Sequence, residues 1–223
     1  MDLSTKVSGD WTAGHWKAES AKLKPGKNEH LWKIAFTRYF RERLQIRYFD
    51  PIKAIEGLGK HEGKGFAIVA IQCSLIEFLE STYQGKAYKH KPAKKHCDGC
   101  TCPLPAKPVA AKVVNEYHNS SGMFTKFLRS KMSDSFTTKQ AESFYKAVRC
   151  GLLHEARTKG DWKINVGDGK GPPVKITAGE KIVYWKNLRR GISEYIDWYE
   201  GELLASPDLQ KKFKDKLDKL FLE

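Results

Sequence analysis

The sequence predicts a mainly α protein: a helical bundle in a single domain, residues 1–223, with a small β-hairpin insertion near residues 161–185. Three observations carry this. Apolar residues recur every three to four positions through most of the chain, the period of a helix packed along one side. One stretch, 66–83, is apolar on nearly every side over its first half, as a helix in a bundle core must be. Between 161 and 185 the pattern turns alternating and β-branched, with glycine-rich turns between the runs. The length of 223 residues and the 40% apolar content suit one domain with an enclosed core.

The elements follow in chain order. Residues 1–14 carry few apolar side chains and two glycines, which predicts a loose end. From Asn28, the spacing of Leu31, Ile34, Ala35 and Arg38, with Trp32, Phe36, Tyr39, Phe40 and Leu44 beside them, predicts a helix ending near Ile46. Asp50 as cap and Pro51 as first helical residue predict a second, short helix that stops at Gly57–Gly59. The segment GLGKHEGKG is read as a loop. Its glycine spacing does not match GxxxxGK[ST], and no strand precedes it.

The buried helix FAIVAIQCSLIEFLESTY comes next, interrupted by Gln72, Ser74 and Glu77. Residues 84–108 are dominated by Lys, His, Cys and Pro and read as an exposed basic loop. VAAKVVNEYHN and GMFTKFLRSKM are short helical segments. Thr138 is the expected cap of KQAESFYKAVRCGLLHEART and Gly160 its expected stop. DWKINV, PVKIT and KIVYW give two or three short strands. Two helices close the chain, the first with Leu188, Ile192, Tyr195, Ile196, Tyr199 and Leu203, the second starting at Ser206–Pro207.

The charge is lopsided. Lys plus Arg number 40 against 26 Asp plus Glu, a net charge of +14. A surplus of this size is the footprint of a chain that meets polyanions, RNA among them. Mean hydropathy is −0.57, and no apolar run is expected to reach the roughly 18 residues of a membrane span. No membrane partner is therefore expected. The first residues lack the apolar core of a signal peptide, and five cysteines are an odd count, so the expected state is reduced thiols in a cytoplasmic protein.

Four sets of residues are candidates for chemistry. In VRCGLLHEA, Arg149 can stabilise extra negative charge on a pentavalent phosphate, and His154 can move a proton near pH 7. Positions five apart lie about 140° apart on an α-helix, so a shared face needs a helix end or deformation between them. The plainer alternative makes Arg149 a surface residue and His154 a cation favoured by the helix C-terminus. Glu77, between Ile76 and Phe78, is either a carboxylate that orients Arg149 or His154, or part of a polar edge with Ser74 and Ser81. Arg38, Arg41, Arg43 and Arg47 lie among aromatics and are candidate RNA contacts, or simply solvated cations beside inward-packing rings. Cys97, Cys100 and Cys102 with His96 or His90 could supply a structural zinc site, or be free thiols on a basic loop.

Arg149–His154, late in a strongly apolar helix of an all-α chain, resembles the signature of the HEPN superfamily. The strings RYFDPIKAIEGLG, GKGFAIVAIQCSLIEFLES and FYKAVRCGLLHEARTKGDWKI are similar to an uncharacterised bacterial, often plasmid-borne, branch of it. The resemblance covers roughly residues 45–85 and 120–200. It implies a helical bundle that dimerises and a metal-independent endoribonuclease of toxin or defence type, leaving 2′,3′-cyclic phosphate and 5′-hydroxyl ends. No cofactor is then required for catalysis, and an antitoxin is an implied partner. It also implies an alternative, a non-catalytic RNA- or protein-binding module. Arg149 and His154 carry the implied roles. Cys150 stands where such nucleases often have Asn, Asp or His, and Ala156 where one toxin branch has a modified tyrosine.

Overall fold

Burial of one apolar helix organises the chain. The computed structural model describes residues 1–60, 62–89 and 115–223. These residues are mainly helical, with seven helices and a few short strands. We label the helices α1 (Ala13–Ser20), α2 (29–56), α3 (Lys64–Tyr83), α4 (Ser120–Lys131), α5 (138–155), α6 (Trp185–Ala205) and α7 (Pro207–Leu222). The strands are β1 (Lys6–Ser8), β2 (Trp11–Thr12), β3 (Ala87–Tyr88), β4 (Glu116–Tyr117), β5 (Trp162–Asn165), β6 (Val174–Ile176) and β7 (Lys181–Tyr184).

Helix α3 is the hub and packs against α2, α4, α5, α6 and α7. Ile68, Val69, Cys73, Leu75, Ile76 and Leu79 are buried on several of its sides. By length and composition α3 is apolar enough to cross a membrane, with a mean hydropathy of 1.3 over its best window, which corrects the expectation that no run is. In the fold 61% of that window is buried inside the protein. Gly85 ends the helix in the left-handed region, φ +68°, as a helix C-terminus favours. A Cβ there would lie 2.9 Å from the Lys212 Cα, so the chain passes α7 at a distance only glycine permits.

Three expectations are corrected in the first half of the chain. Residues 1–14 are not loose: β1 pairs with β2, Val7 is buried, and Thr12 caps α1 through the His15 amide. Trp16 anchors this end, packed against Tyr39 and Phe221 and bonded to Asp218 at 2.9 Å. Asp50 does not begin a new helix. The chain stays helical through 29–56, with five-residue wide turns of π type at Thr37–Arg41 and Gln45–Phe49. Pro51 has no N–H to donate, and the wide turn just before it absorbs the mismatch that would break a regular helix. Tyr117 and Glu116 form β4, paired in parallel with β3, where the sequence suggested helix. The first part of that segment, 109–114, and most of the 84–108 loop lie outside the described residues.

Helix α5 is capped by Thr137, not Thr138, in a reciprocal box with Gln140. It ends at Ala156, φ 52°, and not at Gly160. The loop beyond folds back over it, and the Lys159 amide donates to the Ala147 carbonyl at 2.8 Å. The 161–185 insertion is a three-stranded sheet in the order β5-β7-β6. The antiparallel β6–β7 hairpin receives β5 in parallel on its other side, so the sheet has the strands expected and a parallel edge that the sequence did not indicate.

Gly151 makes the return loop fit, because a Cβ there would collide with the Arg157 carbonyl. Gly151→Ala should therefore lower stability by about 1–3 kcal/mol in urea unfolding. Gly160→Ala, surrounded by open space at φ +60°, should cost only about 1 kcal/mol. Equal losses at the two positions would refute this account of the helix end.

Candidate functional site

The third wide turn lies in α5, at Tyr145–Arg149, and Arg149 is its last residue. Such turns displace side chains from regular helical positions and recur at functional sites. Arg149 Nη2 meets Glu77 Oε2 of α3 at 3.3 Å, with the two side chains only 18% and 15% exposed. The other carboxylate oxygen of Glu77 accepts the Tyr117 hydroxyl at 3.1 Å. Three segments far apart in sequence are thus tied at one carboxylate. Burial and the neighbouring Glu77 charge push the Tyr117 phenol well above its usual range, so Tyr117 acts as a donor. Arg149 also lies 5.4 Å from the centroid of the Tyr145 ring. Its Nε is buried without a partner among the described residues, so one carboxylate does not exhaust its hydrogen-bonding capacity.

Arg149, Glu77 and Tyr117 line a cleft of about 480 Å³ shared by α3, β3, β4, α5 and α7. Tyr88 is exposed at its rim, edge-on to Tyr117 with centroids 5.5 Å apart. Helix α7 adds Lys216 and Lys219. The cleft therefore combines three cations, a tyrosine pair and the carboxylates of Glu77 and Glu223. A cleft of about 470 Å³ between α2 and α6 holds Arg41 and Arg189, each already paired with carboxylates. A larger one of about 750 Å³ lies by Lys131, Arg190 and Trp198, away from the candidate residues.

His154 is not in the Arg149 cleft. It lies exposed in the last turn of α5 and makes no hydrogen bond among the described residues. The wide turn ends before Cys150, and the regular helix that follows keeps the two side chains about 140° apart. A cation near a helix C-terminus is the placement the plainer sequence reading gave His154. For Arg149 that reading is corrected, since it is a largely buried ion-pair partner and not a surface residue. Glu77 does not reach His154. It holds Arg149.

Arg38, Arg41, Arg43 and Arg47 do not form one open basic stripe. Arg38 pairs with Glu19 at 2.8 Å and lies over the Trp11 ring. Arg41 pairs with Asp197 and Glu200 of α6 at 2.8 and 2.6 Å. Arg43 and Arg47 both donate to the Val7 carbonyl, and burial pulls Arg43 down to about 10. The helix turns these side chains toward the N-terminal hairpin and α6, where carboxylates and a carbonyl engage them. Cys97, Cys100, Cys102, His90 and His96 lie outside the described residues. Cys73 is a buried core thiol whose pKa burial drives up.

Sequence reasoning missed Tyr117 and Lys216. Tyr117 gives no local signal, because it meets Glu77 only through the β3–β4 pairing. Lys216 does give one. It falls three residues after Phe213 and one before Leu217, on the apolar side of α7, where a lysine is out of place. No family model, no curated protein and no solved structure matches the chain.

Removing Glu77 would leave the Arg149 guanidinium largely buried and unpaired. Glu77→Ala should cost about 1–3 kcal/mol. In a double-mutant cycle, Arg149→Ala in the Glu77→Ala background should cost less than in the wild type, measured by chemical denaturation. Strict additivity would rule out the coupling.

Proposed function

We propose that this protein acts on RNA at the Arg149 cleft, as a metal-independent endoribonuclease of toxin or defence type with a HEPN-like site. The observation that carries the reading is the convergence of Arg149, Lys216 and Lys219 with two tyrosines in one cleft of a +14 chain. Cations can hold a phosphate there, and an exposed ring such as Tyr88 can stack a base. In the reaction, the 2′-oxygen attacks the adjacent phosphorus and the bond to the 5′-oxygen breaks. Arg149 stabilises the charge that builds on the phosphate, and His154 moves the proton. The products are a 2′,3′-cyclic phosphate and a 5′-hydroxyl.

Within one chain His154 lies outside the cleft. The catalytic reading therefore requires a two-fold dimer in which α5 helices meet and one copy's His154 serves its partner's Arg149. The second reading is a non-catalytic RNA-binding module. The 3.3 Å Glu77–Arg149 pair and the position of His154 favour it, since Glu77 competes with phosphate for the guanidinium.

Purified protein should cleave single-stranded RNA in EDTA, more slowly as salt rises. Arg149→Ala should lose about 10²–10³ in rate, and His154→Ala about 10²–10⁴, with melting temperatures recorded for both. A His154→Ala variant that cleaves as fast as wild type would overturn the catalytic reading. RNA binding without cleavage would leave the second reading standing. Sedimentation at micromolar protein should show dimers of the 25.4 kDa chain. Monomers alone would contradict the shared site.

A further inference from the structure

Lys216 is the most unusual group in the cleft. Its residue is only 5% exposed, yet no carboxylate lies within ion-pair distance of it among the described residues. Its ammonium donates to the Lys86 carbonyl at 2.8 Å and lies 5.6 Å from the centroid of the Phe78 ring. Three donors face one acceptor among the described residues. A buried ammonium without a counter-charge opposes folding, and a methionine of similar length would fill the space without that cost. Arg149, which lines the same cleft, is likewise incompletely satisfied. Two cations with spare donors, brought from α5 and α7 to one cleft, match the several acceptor oxygens of a phosphate.

We propose that Lys216 is the cation of a phosphate subsite in this cleft and makes RNA binding proton-linked. This rests on the reading of the cleft as an RNA site and adds to it a residue and a control by pH. Burial brings Lys216 down to about 8, against a smaller upward pull from Glu77 and further downward pushes from Arg43 and Lys219. A bound phosphate supplies the missing counter-charge and favours the protonated form. The charged groups around it are Glu77 of α3, Arg43 of α2, Arg149 of α5, and Lys219 and Glu223 toward the end of the chain. Tyr117 is held protonated above this range, and Arg43 titrates near 10. Neither accounts for a transition near pH 8.

The sign follows from linkage. Above pH 8 the free protein loses the Lys216 proton, and binding must then take one up. RNA affinity should fall by about tenfold from pH 7 to pH 9, one decade per pH unit once the free lysine is neutral.

The test is fluorescence anisotropy of a labelled single-stranded RNA from pH 6.5 to 9.5 at fixed ionic strength, with inorganic phosphate as competitor. Lys216→Met should bind about ten- to a hundredfold more weakly at pH 7, the loss of one charge-assisted contact. It should also lose the transition near pH 8. Lys216→Arg should keep affinity and flatten the profile, because arginine does not titrate there. Lys219→Met should weaken binding yet keep the transition, and Lys33→Met on α2 should keep both affinity and transition. Melting curves check that each variant is folded. If Arg149→Ala weakens RNA binding but Lys216→Met follows the wild-type pH profile, the proton-linked subsite is wrong and the RNA cleft stands. If neither Arg149→Ala nor Lys216→Met changes RNA affinity, or no RNA binds, both readings fall. Phosphate that competes with RNA in the wild type but not in Lys216→Met supports the subsite. Phosphate competing equally in both argues against it.

Discussion

An all-round apolar helix cannot be left in water, and covering α3 is the constraint that the rest of the structure meets. At about 25 cal/mol per Å² of apolar surface, a side chain such as Ile76 or Leu79 contributes roughly 1.5–3 kcal/mol when fully enclosed. Six such residues on α3 call for neighbours on several sides, and α2, α4, α5, α6 and α7 supply them. The aromatic core forms around this packing. Phe36, Phe40, Tyr199 and Phe213 from three helices meet with ring centroids 4.9–6.5 Å apart. The site follows from the same constraint, since Glu77 is where a polar residue of α3 reaches the edge of its cover.

The fold treats its buried charges unequally. Arg149 and Glu77 are paired, and Glu80, fully buried, is pushed up by burial while Gln84 and Lys126 offset part of that cost. Among the described residues Lys216 has only a carbonyl. Buried pairs generally add little stability compared with apolar replacements, so their presence points away from stability as the reason for them. Along α2 the opposite holds. Arg38, Arg41 and Arg43 tie the N-terminal hairpin and α6 to the bundle, so these cations of the +14 surplus are engaged by protein groups although partly exposed.

Wide turns recur where helices carry arginines. Arg41 and Arg149 each close one, and each reaches a carboxylate on another helix. Widening a helix by one residue per turn re-aims the side chains after it, and the hydrogen bonds lost from regular spacing weaken that turn. A regular helix through 138–155 would present Arg149 at a different angle to α3. The placement of the site therefore depends on local backbone that apolar periodicity does not encode.

The sequence by itself determined the helical class, the central role of residues 66–83, the two closing helices with the second starting at Ser206–Pro207, and the sheet near 161–185. Those features depend on local periodicity, caps and turns, which a linear pattern records. It also offered Glu77 beside Arg149 as one pairing among several. Only the tertiary structure decided that Glu77 meets Arg149 and not His154, because a 72-residue separation is closed by the packing of α3 on α5. Only there does Tyr117 join them, across a two-strand pairing too short to leave a pattern. The basic stripe of α2 looked the same in sequence whether its arginines faced solvent or carboxylates, since their partners lie up to 159 residues away. Lys216 stood visibly out of pattern on α7, but that its ammonium enters a cleft with Arg149 depends on how two helices pack, and no periodicity specifies that.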